Sequence, residues 1–335
     1  MNHLLSYLTR RLFAGILTIW AASVLSFLVI QLPPGDYVTA YIANLQAMGT
    51  MVRAEEAEAL RQQYGLDQPV YVQYAKWMGL MLRGNFGMAM EYNRPVREVI
   101  GDRLLLTMVV SVAAVIFIWG LALPLGIYSA VRQYSIGDYI ATFVAFAGVA
   151  IPNFMLALVI LYVGFKYFGL QNIGGLFSEQ YLQAPWSLAR LWDMIKHLPL
   201  PAVILGLGGM AELIRIMRAN LLDELRRPYV VTARAKGLAE YRVILKYPVR
   251  AALNPFASTI GYIFPFIVSG SIIVSLVLSL PTVGPLLYRA LIAQDLFLAG
   301  TILLLLAVMT VIGTLISDLI LMWIDPRIRL GMEGS

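Results

Sequence analysis

The sequence predicts an all-α, polytopic membrane protein with six transmembrane helices and both termini on the cytoplasmic side. Of its 335 residues, 60% are hydrophobic and only 13% charged, and the mean hydropathy of +0.76 lies outside the range of soluble globular chains. The apolar residues also collect in runs long enough to cross a hydrocarbon core of roughly 30 Å. The basic residues set the orientation. Arg10 and Arg11 before the first run, Arg132 in a short turn, a basic segment after the fourth run, and Arg327 and Arg329 after the sixth share one face if there are six crossings. The positive-inside rule makes that face cytoplasmic. The net charge of +6 is then a topology signal, and it is not read as nucleic-acid binding.

The elements follow in order. Leu12–Leu32 is uncharged and too long for a signal h-region, so residues 1–32 read as a cytoplasmic start and a retained first span. Residues 33–103 form an outward segment in which Glu55, Glu56, Glu58, Glu91 and Glu98 balance the basic residues. Within it, Arg53–Tyr64 sets Ala54, Ala57, Ala59 and Leu60 among charges and ends at Gly65, which predicts a helix. Val70–Leu82 predicts a second helix started by Pro69, with Val72, Ala75, Trp77, Met78 and Met81 available to lie on the membrane surface. This segment serves either as an amphipathic cap on the headgroups or as a docking surface for an external partner. Residues 104–324 hold five further spans and 325–335 a cytoplasmic tail.

Leu104–Val131 and Tyr139–Phe165 are the second and third spans. The outward loop Gly169–Lys196 carries Phe177, Tyr181, Trp186 and Trp192, which suit an interfacial belt. The fourth span is the weakest, because Leu198–Ala211 is short and borrows polar residues from Glu212–Asn220. Ala251–Tyr288, the fifth, exceeds one crossing, and Pro281 and Pro285 take its tail out of the membrane; Leu296–Ser317 is the sixth. Pro124, Pro152 and Pro265 sit inside spans and kink them.

The loop at about 221–254 is the most informative feature. Arg226, Arg227, Arg234, Lys236, Arg242, Lys246 and Arg250 cannot lie in hydrocarbon, so it is a cytoplasmic excursion. Tyr229, Val230, Ala233 and Leu238 give one apolar helical stripe, Gly237 breaks it, and Val243, Ile244, Tyr247 and Val249 begin another. A rigid helical knob on a membrane bundle needs a socket, and a separate partner must supply it.

Enzymatic chemistry finds no support. The sequence has no HExxH, its two histidines (His3 and His197) are far apart, and no GxSxG elbow occurs. Asp318 stands alone in the sixth span, which rules out a paired-aspartate protease. Zero cysteines removes thiolate metal sites and cysteine nucleophiles, and no GxxxxGK[ST] sequence is present to cradle ATP phosphates. Any work must be driven from outside or run downhill. Among the span charges, Glu212 and Arg215 share a helix face and are placed to pair, with Arg218 one turn on; Lys166 reads as a helix-end anchor. That set is too thin for a proton-driven carrier.

The segment VVTARAKGLAEYRVILKYPVRAALNP resembles the cytoplasmic coupling loop of permease subunits of binding-protein-dependent ABC importers, in the dipeptide/oligopeptide/nickel branch. Tyr7–Arg11, Pro34-Gly35-Asp36, Tyr64–Pro69 with Gln73-Tyr74 and Trp77, and Leu82–Gly87 are similar to that branch in order and spacing. So are Arg94-Pro95-Val96, Pro124-Leu125-Gly126, Ile151–Phe154, Leu200-Pro201-Ala202 and Asp325–Arg329. The resemblance covers nearly the whole chain. It implies a second homologous permease subunit, two ATP-binding subunits that hold ATP and Mg, and a periplasmic or lipid-anchored solute-binding protein, all at a bacterial or archaeal cytoplasmic membrane. This chain itself would bind no cofactor and no nucleic acid, only its partners and membrane lipid. Tyr229, Thr232, Ala233, Arg234, Ala235, Lys236, Gly237 and Leu238 would form the coupling helix, with the small residues allowing close packing and Arg234 and Lys236 reaching the socket's rim.

Asn153, Glu212, Ser258, Ser271 and Ser275 are the candidates to line a translocation path. The implied solute is an oligopeptide or dipeptide. Two departures bear on it: Gly35-Asp36-Tyr37 stands where many relatives read Gly-Asp-Pro, and Ser275 lies where many carry an acidic residue. A serine suits hydroxyls better than a peptide ammonium, so an oligosaccharide is kept as the alternative. A self-contained carrier or channel is the remote reading, but it would leave the basic knob without a use.

Overall fold

The computed structural model describes residues 2–47, 54–170, 173–254, 256 and 272–324, and these are mostly helical. The chain divides into two compact units. One contains Leu106–Pro281 with the two chain ends, and the other contains Thr9–Leu105 and Thr282–Val311.

The second unit is built on α1 (Asn2–Gln31), α2 (Tyr37–Ala47), α3 (Ala54–Tyr64) and α4 (Val70–Leu82). A two-residue hairpin of β1 (Met88–Ala89) and β2 (Arg94–Pro95) follows, then α5 (Val96–Ile100). Gly65, at φ +69°, closes α3 as its position in the sequence predicts. Asp36 starts α2, accepting from the Thr39 backbone N–H at 2.7 Å and from the Arg61 Nε at 2.9 Å, which ties α2 to α3. The helix that follows buries Tyr37.

Helix α4 departs from the expected membrane-surface cap. Trp77 is 1% exposed and packs on Phe27 of α1, with ring centroids 6.0 Å apart. A Cβ on Gly300 of α16 (Leu296–Ile324) would stand 2.9 Å from the Trp77 ring, so the helices meet too closely for any larger residue. Ser23 and Tyr74 share a 2.9 Å hydrogen bond, and Gln31 donates to Gln73 at 3.0 Å. Trp77 and Met81 of α4 are therefore spent on protein packing, while Val70, Tyr71 and Ala75 stay exposed.

Asp295, between α15 (Val283–Ile292) and α16, is fully buried. Its carboxylate accepts backbone N–H bonds from Leu298 at 3.0 Å and from Glu91 at 3.2 Å, capping α16 and fastening the β hairpin. Burial pushes its pKa up from the ordinary 3.8 to about 6, against the lowering effect of those donors. The native state therefore holds the extra proton between these values, and stability rises as pH falls through about 6 toward 4, by up to about 3 kcal/mol. Hydrogen-exchange protection of the Met90 and Glu91 amides should increase across that window. Asp295→Asn should remove the dependence, and protection that falls on acidification would contradict this.

The first unit contains most of α6 (Arg103–Val131), then α7 (Ile136–Ala150), α8 (Asn153–Phe168), α9 (Leu188–His197) and α10 (Pro199–Leu225). After these come α11 (Pro228–Ala235), α12 (Glu240–Lys246), α13 (Pro248–Ala252) and the described helical residues 272–277, α14. Its core runs along α6 and α10 through Val110, Ala114, Ile118, Ile204, Met210 and Met217. Gly126 of α6 lies where a Cβ would be 2.6 Å from Met217 Cβ, which lets the two helices pack backbone to backbone.

Among the described residues, four helices are long and apolar enough to cross a membrane: Thr9–Gln31, Val96–Val131, Pro199–Leu225 and Leu296–Ile320. The expected third span is broken, with α7 and α8 meeting at 99°. Pro152 lacks an N–H and drives Ile151 to an extended backbone (φ −97°, ψ 120°), so the helix stops and restarts at Asn153. Counting the pair as one span gives five among the described residues instead of the expected six. Residues 255 and 257–271 of the expected fifth span, with Pro265, lie outside the described residues. The fourth span, expected to be the weakest, is the most buried of the four.

In the outward loop, two of the expected belt aromatics are structural. The Arg190 guanidinium lies 4.7 Å from the Phe177 ring centroid and 4.5 Å from that of Trp186, and Phe177 and Arg190 are both buried. Asp193 accepts from Ser178 N and Oγ at 2.7 Å. Trp192 is exposed, beside Leu188, Leu191 and Ile195 on α9.

Candidate functional site

The basic loop folds as a helical hairpin. Helix α11 starts at Pro228, whose missing N–H costs nothing in a first turn. It ends at Lys236 and Gly237, with Gly237 at φ +74° donating to Arg234 O at 2.9 Å. Glu240 opens α12 three residues later. Val230 (0% exposed), Ala233 and Val243 (0%) form a separate small core between the two helices. Ile244, Val249 and Ala252 instead join the main core of their unit. The hairpin thus has a rigid interior of its own and an apolar root in the bundle.

The sequence stripes are resolved unevenly. Val230, Ala233, Val243, Ile244 and Val249 are buried, whereas Tyr229, Leu238 and Tyr247, placed in the same stripes, are exposed. Tyr229 is held at the base, where its hydroxyl donates to Glu224 and its ring stands 6.5 Å from that of Tyr247. The outer face of α11 presents Val231, Thr232, Arg234 and Ala235, and Lys236 and Gly237 follow it, all exposed. Arg234 was expected to reach outward, yet its guanidinium binds Glu240 through Nη2 at 2.7 Å and Nε at 3.2 Å. The partner hydrogen bond holds the Glu240 carboxyl below its usual range. Arg234 therefore latches the hairpin and keeps an exposed edge.

Three of the candidate path residues are described. Asn153 heads α8 at the break, next to Gly208 of α10, where a Cβ would lie 3.4 Å from Asn153 Oδ1. Glu212 and Arg215 are both exposed on α10 and form no ion pair among the described residues, as for charges solvated where a span leaves the membrane. Ser275 is fully buried within its unit. Ser258 and Ser271 lie outside the described residues.

The third member of the expected cluster, Arg218, instead binds Asp138 on α7 through two bonds, Nε to Oδ1 at 3.2 Å and Nη2 to Oδ2 at 3.0 Å. Sequence reasoning passed over Asp138, which is 80 residues away. The local signal was its place three residues after Ser135, whose Oγ caps α7.

Residues 122–330 match the family described as the binding-protein-dependent transport system inner membrane component, and residues 4–113 match the N-terminal region of such components. The chain belongs to this family. Its relatives include the oligopeptide transport system permease protein AppB of Bacillus subtilis (strain 168), 34% identical over 325 residues that cover 97% of this chain and 99% of AppB. The glutathione transport system permease protein GsiC of Escherichia coli (strain K12) is 31% identical over 326 residues, 97% of this chain and 99% of GsiC. The inner membrane ABC transporter permease protein YejB of Escherichia coli O157:H7 is 30% identical over 362 residues, 96% of this chain and 98% of YejB. As a member of the inner membrane component family with several apolar spans, the chain is a multi-pass inner-membrane protein and a permease subunit of an ABC importer.

Proposed function

We propose that this permease subunit imports peptides, taking them from an extracytoplasmic binding protein under the drive of separate ATPase subunits. The observation that carries the solute class is similarity over nearly the whole chain to permeases named for oligopeptides and for glutathione, itself a peptide. AppB, GsiC and YejB are not named for oligosaccharides, so that alternative is not favoured.

The complex in this reading holds this chain, a second homologous permease and two ATP-binding subunits that carry ATP and Mg. The chain crosses the membrane six times with both ends cytoplasmic. Helix α11 and the turn to Leu238 form the coupling helix seated in an ATPase groove. When ATP draws the ATPases together, the hairpin moves as a body, because Val230, Ala233 and Val243 fix its two helices and Ile244 and Val249 root it. The attached spans then open outward to accept solute, and hydrolysis reverses the motion. Asn153, at the break in the third span, is positioned to meet solute, and Glu212 offers a carboxylate to a peptide ammonium.

The test is a mild-detergent pull-down of the tagged chain from its native membrane, read by mass spectrometry. Recovery of an ATP-binding subunit, a second permease and a peptide-binding receptor is the expected result. A chain that purifies alone and still moves solute would establish a self-contained carrier instead.

A further inference from the structure

We propose that the Asp138–Arg218 ion pair is a positioning link that makes the start of α7 move with α10, carrying displacement of the hairpin to the broken third span. The inference rests on the coupling role proposed above for the hairpin. Three donors converge on the Asp138 carboxylate: Arg218 Nε, Arg218 Nη2 and, at 2.9 Å, the backbone N–H of Tyr134. Tyr134 sits at φ +63° in the turn between α6 and α7, and Ser135 Oγ accepts from Asp138 N at 3.2 Å. One carboxylate, 4% exposed, therefore fixes the tip of that turn and grips α10 as well.

The grip lies close to the moving part. Arg218 is seven residues, about 10 Å at 1.5 Å per residue, before the end of α10 at Leu225, and Pro228 opens α11 three residues later. Beside it, Gly126 of α6 sits against Met217 and Ile214 of α10, and Gly137 of α7 against Tyr128 of α6. The far end of α7 is held to α10 as well, since a Cβ on Gly148 would be 3.1 Å from Leu207 O, and Asn153 faces Gly208. Both ends of α7 are thus pinned to α10, while α8 departs at 99° from a break between them. A rotation of α10 must carry α7 along, and the bend at Ile151-Pro152 is where the motion can be taken up.

Stability alone gives little reason for the pair. A buried ion pair recovers little more than its desolvation cost, and apolar side chains of similar volume often do as well. What two parallel, directional bonds add is a fixed register between two helices.

The experiment uses the complete importer in proteoliposomes, measuring solute taken up per ATP hydrolysed. The variant is the neutral pair Asp138→Asn with Arg218→Gln, which strands no buried charge. The expected result is wild-type assembly and ATP hydrolysis with uptake per ATP down about tenfold. Unchanged uptake per ATP in whatever fraction assembles would reduce the pair to a structural role and overturn the proposal. A second measurement needs no disruptive variant. Spin labels at Tyr134→Cys and Asp223→Cys, in a chain with no other cysteine, should keep one separation with and without ATP, and lose it in the neutral-pair variant. A separation that changes with ATP in the otherwise unmutated chain would mean that α7 moves independently, which also overturns the proposal. Absence of ATP-driven uptake in the unmutated complex would instead remove the importer reading itself.

Discussion

Replacing Gly237 with proline should lower ATP-driven uptake at least tenfold while the chain still inserts and its bundle still folds. Three constraints are violated together. Gly237 holds φ +74°, and proline fixes φ near −65°. Its N–H donates to Arg234 O, and proline has none to give. The preceding Lys236 sits at φ −76°, ψ 2°, outside the extended region a following proline requires. A cost of about 3 kcal/mol or more falls on a hairpin whose own core is only three residues. Gly237→Ala meets open space and keeps the N–H, so only the left-handed backbone is penalised, by roughly 1 kcal/mol. Uptake should therefore rank wild type, then Gly237→Ala, then Gly237→Pro, at equal amounts of membrane-inserted chain. Wild-type uptake by the proline variant would show that the turn's geometry is not used.

The second large effect is expected at Val243, which is fully buried against Val230 and Ala233. Val243→Asp places a carboxylate where no cation is held and should open the hairpin, at a cost on the order of 3 kcal/mol. The readout is the ATP-binding subunit retained when the tagged chain is purified: lost with Val243→Asp, largely kept with Val243→Ala, which removes about 1 kcal/mol of packing. Full retention with aspartate would mean that the partner does not read the hairpin's shape. Arg234→Glu acts on the same element, since it sets a second carboxylate against Glu240 and replaces a latch with a repulsion.

Much of this organisation is legible in the sequence because it is local. Gly65, Pro69 and the charge pattern of Arg53–Tyr64 mark α3 and α4, and the stripes about Gly237 mark the hairpin. Helix α2 was not foreseen, because YVTAYIANLQA shows weak amphipathic contrast and its start depends on the cap at Asp36. Helix α9 reverses the usual rule by burying Arg190 and Asp193 and exposing Leu188 and Trp192, so a reading that sends apolar residues inward picks the wrong face. Pro152 signals a kink, but a 99° break depends on what α10 offers the two halves through Gly148 and Gly208. The contacts Asp138–Arg218 and Asp295–Glu91 span 80 and 204 residues, and no periodicity connects positions so far apart. For the same reason Arg218 was placed with its neighbours Glu212 and Arg215, which are close along the helix but not bonded to it.

In the proposed coupling, the exposed face of α11 sits in an ATP-binding subunit. Because the chain has no cysteine, Val231→Cys can carry a photoreactive benzophenone at one defined point on that face, where Val231 is 59% exposed. Illumination in native membranes should join this chain to the ATP-binding subunit, and the same label at Tyr71→Cys on α4 should not. A label at 231 that reacts only with lipid or with another permease would contradict the assignment of this hairpin as the coupling element.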